Sequence, residues 1–377
     1  MRRPRPLVGA IAILIAGLFG ASCNIAIAQD TEVTTMPSDI IAATGPLTAD
    51  QTQTVEQFTA YWLDVLRTGS PNDKDKARRK LRSTSTAADQ NAEFRKRYNA
   101  ILLSQIAASL KAPEIPAEAS KEERQRLTTE HLLFRINAMW VILKVSGENI
   151  LPVIEVGLTD ENGAVRYWAA KAAAEMATRK AFVESEELGV LKLLEKALGL
   201  ETQSAALAEQ LKALNAMKIA EARAVLMNVL SARISVHAEN PALHYLPELN
   251  ALQDMYRRVI SDYANNRAGV IQQINDLTSI SYRYMRLVTM QLESEETADA
   301  ATSNDRPSMI EQCDSILRFA VTNLAPGERQ PEEITSALKR ADWNFILVQI
   351  DRWERILKKG PFAMTPDQLK VEIPEAE

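Results

Sequence analysis

Apolar side chains recur every three or four positions along most of this chain, and short polar breaks separate the runs. "TVEQFTAYWLDVLRTG" sets Val55, Phe58, Trp62, Val65 and Leu66 on one helical face. The gap "SPNDKD" follows, and "KARRKLRS" and "NAEFRKRYNAILLSQIAASL" read as further helices. After the proline-marked loop "KAPEIPAEAS", "KEERQRLTTEHLLFRINAMWVILKVSG" reads as one long helix or a helix pair. "NILPVIEVGL" and "AVRYWAAKAAAEMATRK" form a helix pair around the turn "TDENG". "ELGVLKLLEKALGL" and "ETQSAALAEQLKALNAM" form the next pair, and "AEARAVLMNVLSARI" with "PALHYLPELNALQDMYRRVISDYANN" a third. "GVIQQINDLTSISYRYMRLVTMQLE", "SMIEQCDSILRFAVTNL" and "DWNFILVQIDRWERILKKG" complete the helices. No long alternation of β-branched and polar residues marks a strand.

The alanine-rich helix constrains the architecture. At 100° per residue, Val165, Trp168, Ala169, Ala172 and Met176 form a core stripe. Arg166 and Ala173 flank it on one side and Glu175 on the other, while Tyr167, Ala170, Lys171 and Ala174 face away. Alanines thus occupy the stripe, a flank and the outer face. A lone surface helix has no need of this, but a helix wedged between its partner and the neighbouring pair does, because small side chains let helix axes approach. Asp160 or Asn162 is placed to cap this helix, and Gly163 to permit a tight turn.

An apolar first helix ("LPVIEVGL"), a turn aspartate (Asp160), Val165-Arg166 and "AAKAAAEM" together resemble a HEAT repeat. Residues 186–234 match more loosely, without the Val-Arg pair. "LDVLRTGSPNDKDKARRKL" resembles a degenerate copy with Ala77 and Arg78 in that place. Leu158, Leu198 and Leu230 then end comparable first helices, at the spacing of helical-pair repeats. The resemblance implies an all-α solenoid in which Asp160 and Arg166 belong to an architectural ladder between neighbours.

The N-terminus reads as an export signal over residues 1–28. "MRRPRP" carries three arginines, an uncharged run follows, and "AIA" at Ala26–Ala28 has the small-x-small pattern of a cleavage site. Three other readings compete: an uncleaved anchor, a lipidated Cys23 and a twin-arginine signal. Loss of the leader's three arginines takes the net charge from −5 to about −8, which argues against nucleic acid as partner. It also leaves Cys313 as the sole cysteine, so no internal disulfide forms and a buried apolar role suits it. Residues 29–51 read as a flexible arm and 52–292 as the solenoid. Residues 293–306 read as an acidic loop, 307–360 as a C-terminal helical cap, and 361–377 as a disordered tail.

Motifs for catalysis are missing. His131, His237 and His244 have no metal-ligand spacing around them, and no nucleophile elbow, phosphate loop or dinucleotide fingerprint occurs, so no cofactor is expected. Three stretches suit contact with a partner. "KDKARRKLR" gathers Lys74, Lys76, Arg78, Arg79, Lys80 and Arg82 for an anionic polymer or membrane surface, against a plainer reading as a solvated helix start. "SYRYMR" offers Tyr282, Arg283, Tyr284 and Arg286, although Tyr282 and Met285 also suit a core. Tyr167 and Lys171 stand on the outer face of their helix. The third stretch is in the C-terminal segment, where Trp343, Ile346, Ile350, Trp353 and Leu357 make a stripe suited to sealing the stack, against a reading as a partner-docking helix. The expectation is an exported, non-enzymatic scaffold with a protein or envelope-polymer partner. A membrane-anchored structural protein and an enzyme on a helical-repeat scaffold are the alternatives.

Overall fold

The computed structural model describes residues 33–87, 91–111, 115–145, 147, 149–182, 184–199, 201–294 and 305–371. The span expected to be a leader, with Cys23, and residues 295–304 of the expected acidic loop lie outside them. The described residues are helical, without strands. In chain order the helices are α1 (Ser38–Ile41), α2 (Ala49–Thr68), α3 (Pro71–Ala87), α4 (Ala92–Ser109), α5 (Lys121–Ile142), α6 (Ile150–Leu158), α7 (Gly163–Arg179) and α8 (Glu184–Leu198). They continue with α9 (Ser204–Ala216), α10 (Ala220–Glu239), α11 (Leu246–Asn265), α12 (Arg267–Ser294), α13 (Asp305–Leu324), α14 (Thr335–Lys339), α15 (Trp343–Leu357) and α16 (Pro366–Leu369).

Packing follows the parity of these numbers. The even-numbered helices from α2 to α12 touch in succession, and so do the odd-numbered helices from α3 to α13. Most consecutive helices also touch, so two rows share one apolar seam. Helix α7 shows why small residues are needed in such a seam. It packs on α5, α6 and α9, and Ala169, Ala170, Ala172, Ala173 and Ala174 are all buried. Ala170 and Ala174, on the face turned away from the stripe, are as inaccessible as Val165, Ala169, Ala172 and Met176 within it. Trp168 is half-buried and packs against the core beside fully buried Val165.

The partner helix contributes the complementary gap. A Cβ built on Gly157 of α6 would lie 2.5 Å from Ala169 Cβ and 2.7 Å from Met139 Sδ. Gly157→Ala should therefore destabilise by about 1–3 kcal/mol, although alanine is the better helix former. A denaturant titration at neutral pH checks this, and unchanged stability would show that the interhelical gap yields freely. Asn162 caps α7, its side chain accepting from Ala164 N–H at 2.9 Å, while Asp160 accepts from Asn162 N–H. Gly163 differs from expectation: its φ is not in the left-handed region, and its lack of a side chain instead admits Gln203, whose Oε1 would lie 1.8 Å from a Cβ.

A polar ladder runs beside the apolar seam. Arg135 of α5 pairs with Asp160 in the α6–α7 turn. Arg166 of α7 donates to the Asp160 backbone carbonyl and makes a two-pronged contact with Glu201 in the α8–α9 turn, at 2.7 and 2.8 Å. Arg233 of α10 donates to the Glu201 carbonyl and to Glu248 of α11. The Glu201 and Glu248 side chains are fully buried. Burial by itself would raise the Glu201 pKa, but hydrogen bonds from Arg166, Gln203 N–H and Gln210 hold it below the ordinary carboxylate range. Arg78 of α3 likewise reaches across to Asn137 of α5.

Several boundaries differ from the sequence reading. Leu230 lies inside α10 rather than at a helix end, and α13 begins at Asp305, inside the span expected to be loop. The arm expected to be flexible is docked from Val33 onward: Met36 and Ile40 are buried, and Thr34 O accepts from Trp62 Nε1. Asn91 Nδ2 reinforces that docking by donating to the carbonyls of Ile41 and Ala43. The tail expected to be disordered is ordered to Val371, with Phe362, Met364 and Leu369 buried and α16 packed on α12. Apolar residues spaced too widely for a helical stripe still anchor such segments once a groove exists for them. At the C-terminal end α15 lies on α12, with Ile346, Ile350, Trp353 and Leu357 buried and Trp343 half-buried.

Candidate binding cleft

Three helices each turn one stripe toward a common gap. On α10 the stripe is Ala220, Arg223, Ala224, Met227, Asn228 and Ser231, at helical spacing. Helix α11 supplies Met255, Arg258 and Val259. Helix α12 supplies Gln273, Asp276, Ser279, Ile280 and Arg283. The short side chains of Ala220, Ala224 and Ser231 do not fill the space across to α12, and a cleft of about 580 Å³ remains. This volume falls in the range of small-ligand sites. Asp367 and Gln368 of α16 close one edge, tethered by Ser279 Oγ, which donates to the Gln368 carbonyl at 2.6 Å.

Three guanidinium groups line the cleft and they are not equivalent. Arg223 is neutralised by Asp262 at 2.9 Å and also donates to Gln273 Oε1. Arg283 is half-buried. Its Nη2 donates to Ser231 Oγ at 2.6 Å, and among the described residues its buried Nε has no partner and no carboxylate pairs with it. Arg258 is half-buried and makes no side-chain hydrogen bond or ion pair among the described residues. Burial pushes the pKa of Arg258 and Arg283 down, and the charge of Arg223 adds to the effect on Arg258. Both nevertheless remain protonated at neutral pH. Asp254 and Asp262 offset the charge of Arg258 from a distance. Of the lining acids, Asp276 is half-buried and accepts from Gln272, and Asp367 is exposed. The cleft therefore joins an apolar floor of Met227, Met255, Val259 and Ile280 to two guanidinium groups with no carboxylate of their own.

The residues proposed from sequence lie elsewhere. Tyr282 and Tyr284 are fully buried, so neither faces a partner. The Tyr282 hydroxyl donates to Glu354 and that of Tyr284 to the Leu230 carbonyl. Between them Arg283 points the opposite way, into the cleft, because adjacent helical positions diverge by about 100°. Arg78 is engaged with Asp75 and Asn137 and lies over the Trp140 ring, while Arg79 is exposed and paired with Asp75. Tyr167 and Lys171 are both half-buried and hydrogen-bonded to each other at 3.1 Å, with Lys171 also over the Trp168 ring. That contact raises the Lys171 pKa.

The histidines occupy separate places. His237 is buried, with Nε2 2.9 Å from Glu248, and stacks on Tyr245. His131 stacks on Phe134, and His244 stands near Asp305. Cys313 is buried, and its surroundings push its thiol pKa up. Among the described residues no group of His, Cys, Asp and Glu forms a metal site, and no helix is long and apolar enough to cross a membrane.

Sequence reasoning missed Arg223, Arg258 and Arg283 as a set. The one available signal was Arg283 within "SYRYMR", where the neighbouring tyrosines drew the attention. Comparison with protein-family models, curated proteins and solved structures finds no match for the chain.

Proposed function

We propose that this chain is an exported α-solenoid of HEAT-like hairpins that acts as a non-enzymatic binding protein, seating an anionic protein partner in the α10–α12 cleft. The parity of the helix contacts and the arginine ladder support the solenoid reading, since both carry one hairpin's interactions into the next. The observation that carries the binding reading is the pair Arg258 and Arg283, held in one cleft with no carboxylate in ion-pair contact with either among the described residues. Burying charge without a partner costs stability. Such an arrangement is kept most readily where an incoming anion completes it. The lining hydroxyls favour binding over chemistry: Ser231 faces an arginine and Ser279 a backbone carbonyl, so neither is paired with a base.

Two measurements test this reading. Mass spectrometry of the mature chain should find Gln29 at its N-terminus, and an intact leader overturns export by cleavage. Crosslinking in the native compartment should yield a partner with the wild type and lose it with Arg258→Glu. An unchanged crosslinking pattern overturns the cleft as the seat.

A further inference from the structure

We infer that the group entering the cleft is a single carboxylate carried on an apolar body, an inference that rests on the binding role proposed above. Arg258 and Arg283 supply cationic donors, and a carboxylate fits the planar guanidinium fork. Arg223 adds little to that demand because Asp262 already neutralises it. The lining carboxylates favour a monoanion over a dianion. Asp276 and Asp367 line the same cleft, so a second negative charge on the ligand meets repulsion where the first meets attraction. The apolar requirement comes from the floor, where Met227, Met255, Val259 and Ile280 come together from three helices. Met255, Val259 and Ile280 are among the buried core residues, so this floor is rigid, and Met227 adds an adaptable thioether.

The same chemistry has two sources, a free aliphatic acid and the C-terminal carboxylate of a peptide ending in an apolar residue. Isothermal titration of the purified mature chain separates them. Four probes are compared: octanoate, octanol, and a leucine-terminated hexapeptide with a free or an amidated C-terminus. The expected result is binding of octanoate or of the free-acid peptide, about tenfold or more weaker binding of the matching uncharged probe, and a similar loss in Arg258→Met and Arg283→Met. Preference for octanoate assigns the site to a free acid, and preference for the free-acid peptide assigns it to a chain terminus. Circular dichroism verifies that both variants stay folded, and Arg258→Met, which breaks no hydrogen bond or ion pair, is the safer of the two. Absence of binding by both carboxylates overturns the inference, as does equal binding of the uncharged probes or indifference to both substitutions. If carboxylates fail while Arg258→Glu still abolishes the crosslink, the ligand class is wrong and the binding role stands. If the crosslink also survives, both fall.

Discussion

Arg166→Met should destabilise the fold by about 3–5 kcal/mol at neutral pH, because it leaves the fully buried Glu201 carboxylate without its cation. The pH dependence is more telling than the size. In the wild type the Glu201 pKa is depressed in the folded chain, so its contribution is present above the unfolded value near 4.5 and fades as pH falls through the folded value. Burial is already the largest single influence on Glu201, and without the Arg166 hydrogen bond and charge opposing it the shift should turn upward. The variant then improves, relative to the wild type, as acid protonates Glu201. The gap between the two proteins should be widest near pH 7 and narrow toward about pH 4.5. Denaturant titrations at both pH values measure it. A gap under about 1 kcal/mol, or one that ignores pH, contradicts a buried ion pair here.

The other large effect belongs to Trp353. Its side chain is fully buried on α15, and its indole N–H donates to Asp314 Oδ1 at 3.0 Å. Burial raises the Asp314 pKa, and Arg318 and Trp353 work against that rise. Trp353→Ala removes packing and a donor together, for an expected loss of about 3–5 kcal/mol. Trp353→Phe keeps most of the volume and loses the N–H, so about 1–3 kcal/mol should go. Thermal melts of both variants separate the contributions. If Phe proves as damaging as Ala, the hydrogen bond outweighs the packing, and if Phe is neutral the Asp314 contact contributes nothing.

What could be read in advance follows from the range of each interaction. Helices α6 to α9 were legible because their stripes and turn residues, and the Asn162 cap of α7, are local, and the alanines of α7 report crowding on every side. The helices α1, α14 and α16 span four or five residues, too few for a periodic stripe, and they are held in place by grooves that exist only after folding. Tyr282 and Tyr284 were ambiguous because an aromatic residue suits both a core and an interface. Burial by α10 and α15 decides between these, and neither helix is near in sequence. The arginine cleft was illegible for the same reason. Each of its three stripes looks like an ordinary solvated face, and only the pairing of α10 with α12 turns the shortage of bulk at Ala220 and Ala224 into an opening.

The reach of Arg135 and Arg166 into later turns ties each stretch of the helical stack to the one after it. Deleting residues 150–179 in frame would strip Arg135 of Asp160 and Glu201 of Arg166 in a single event. Removing or adding a pair of helices within this stack therefore demands compensating changes on both sides of the cut.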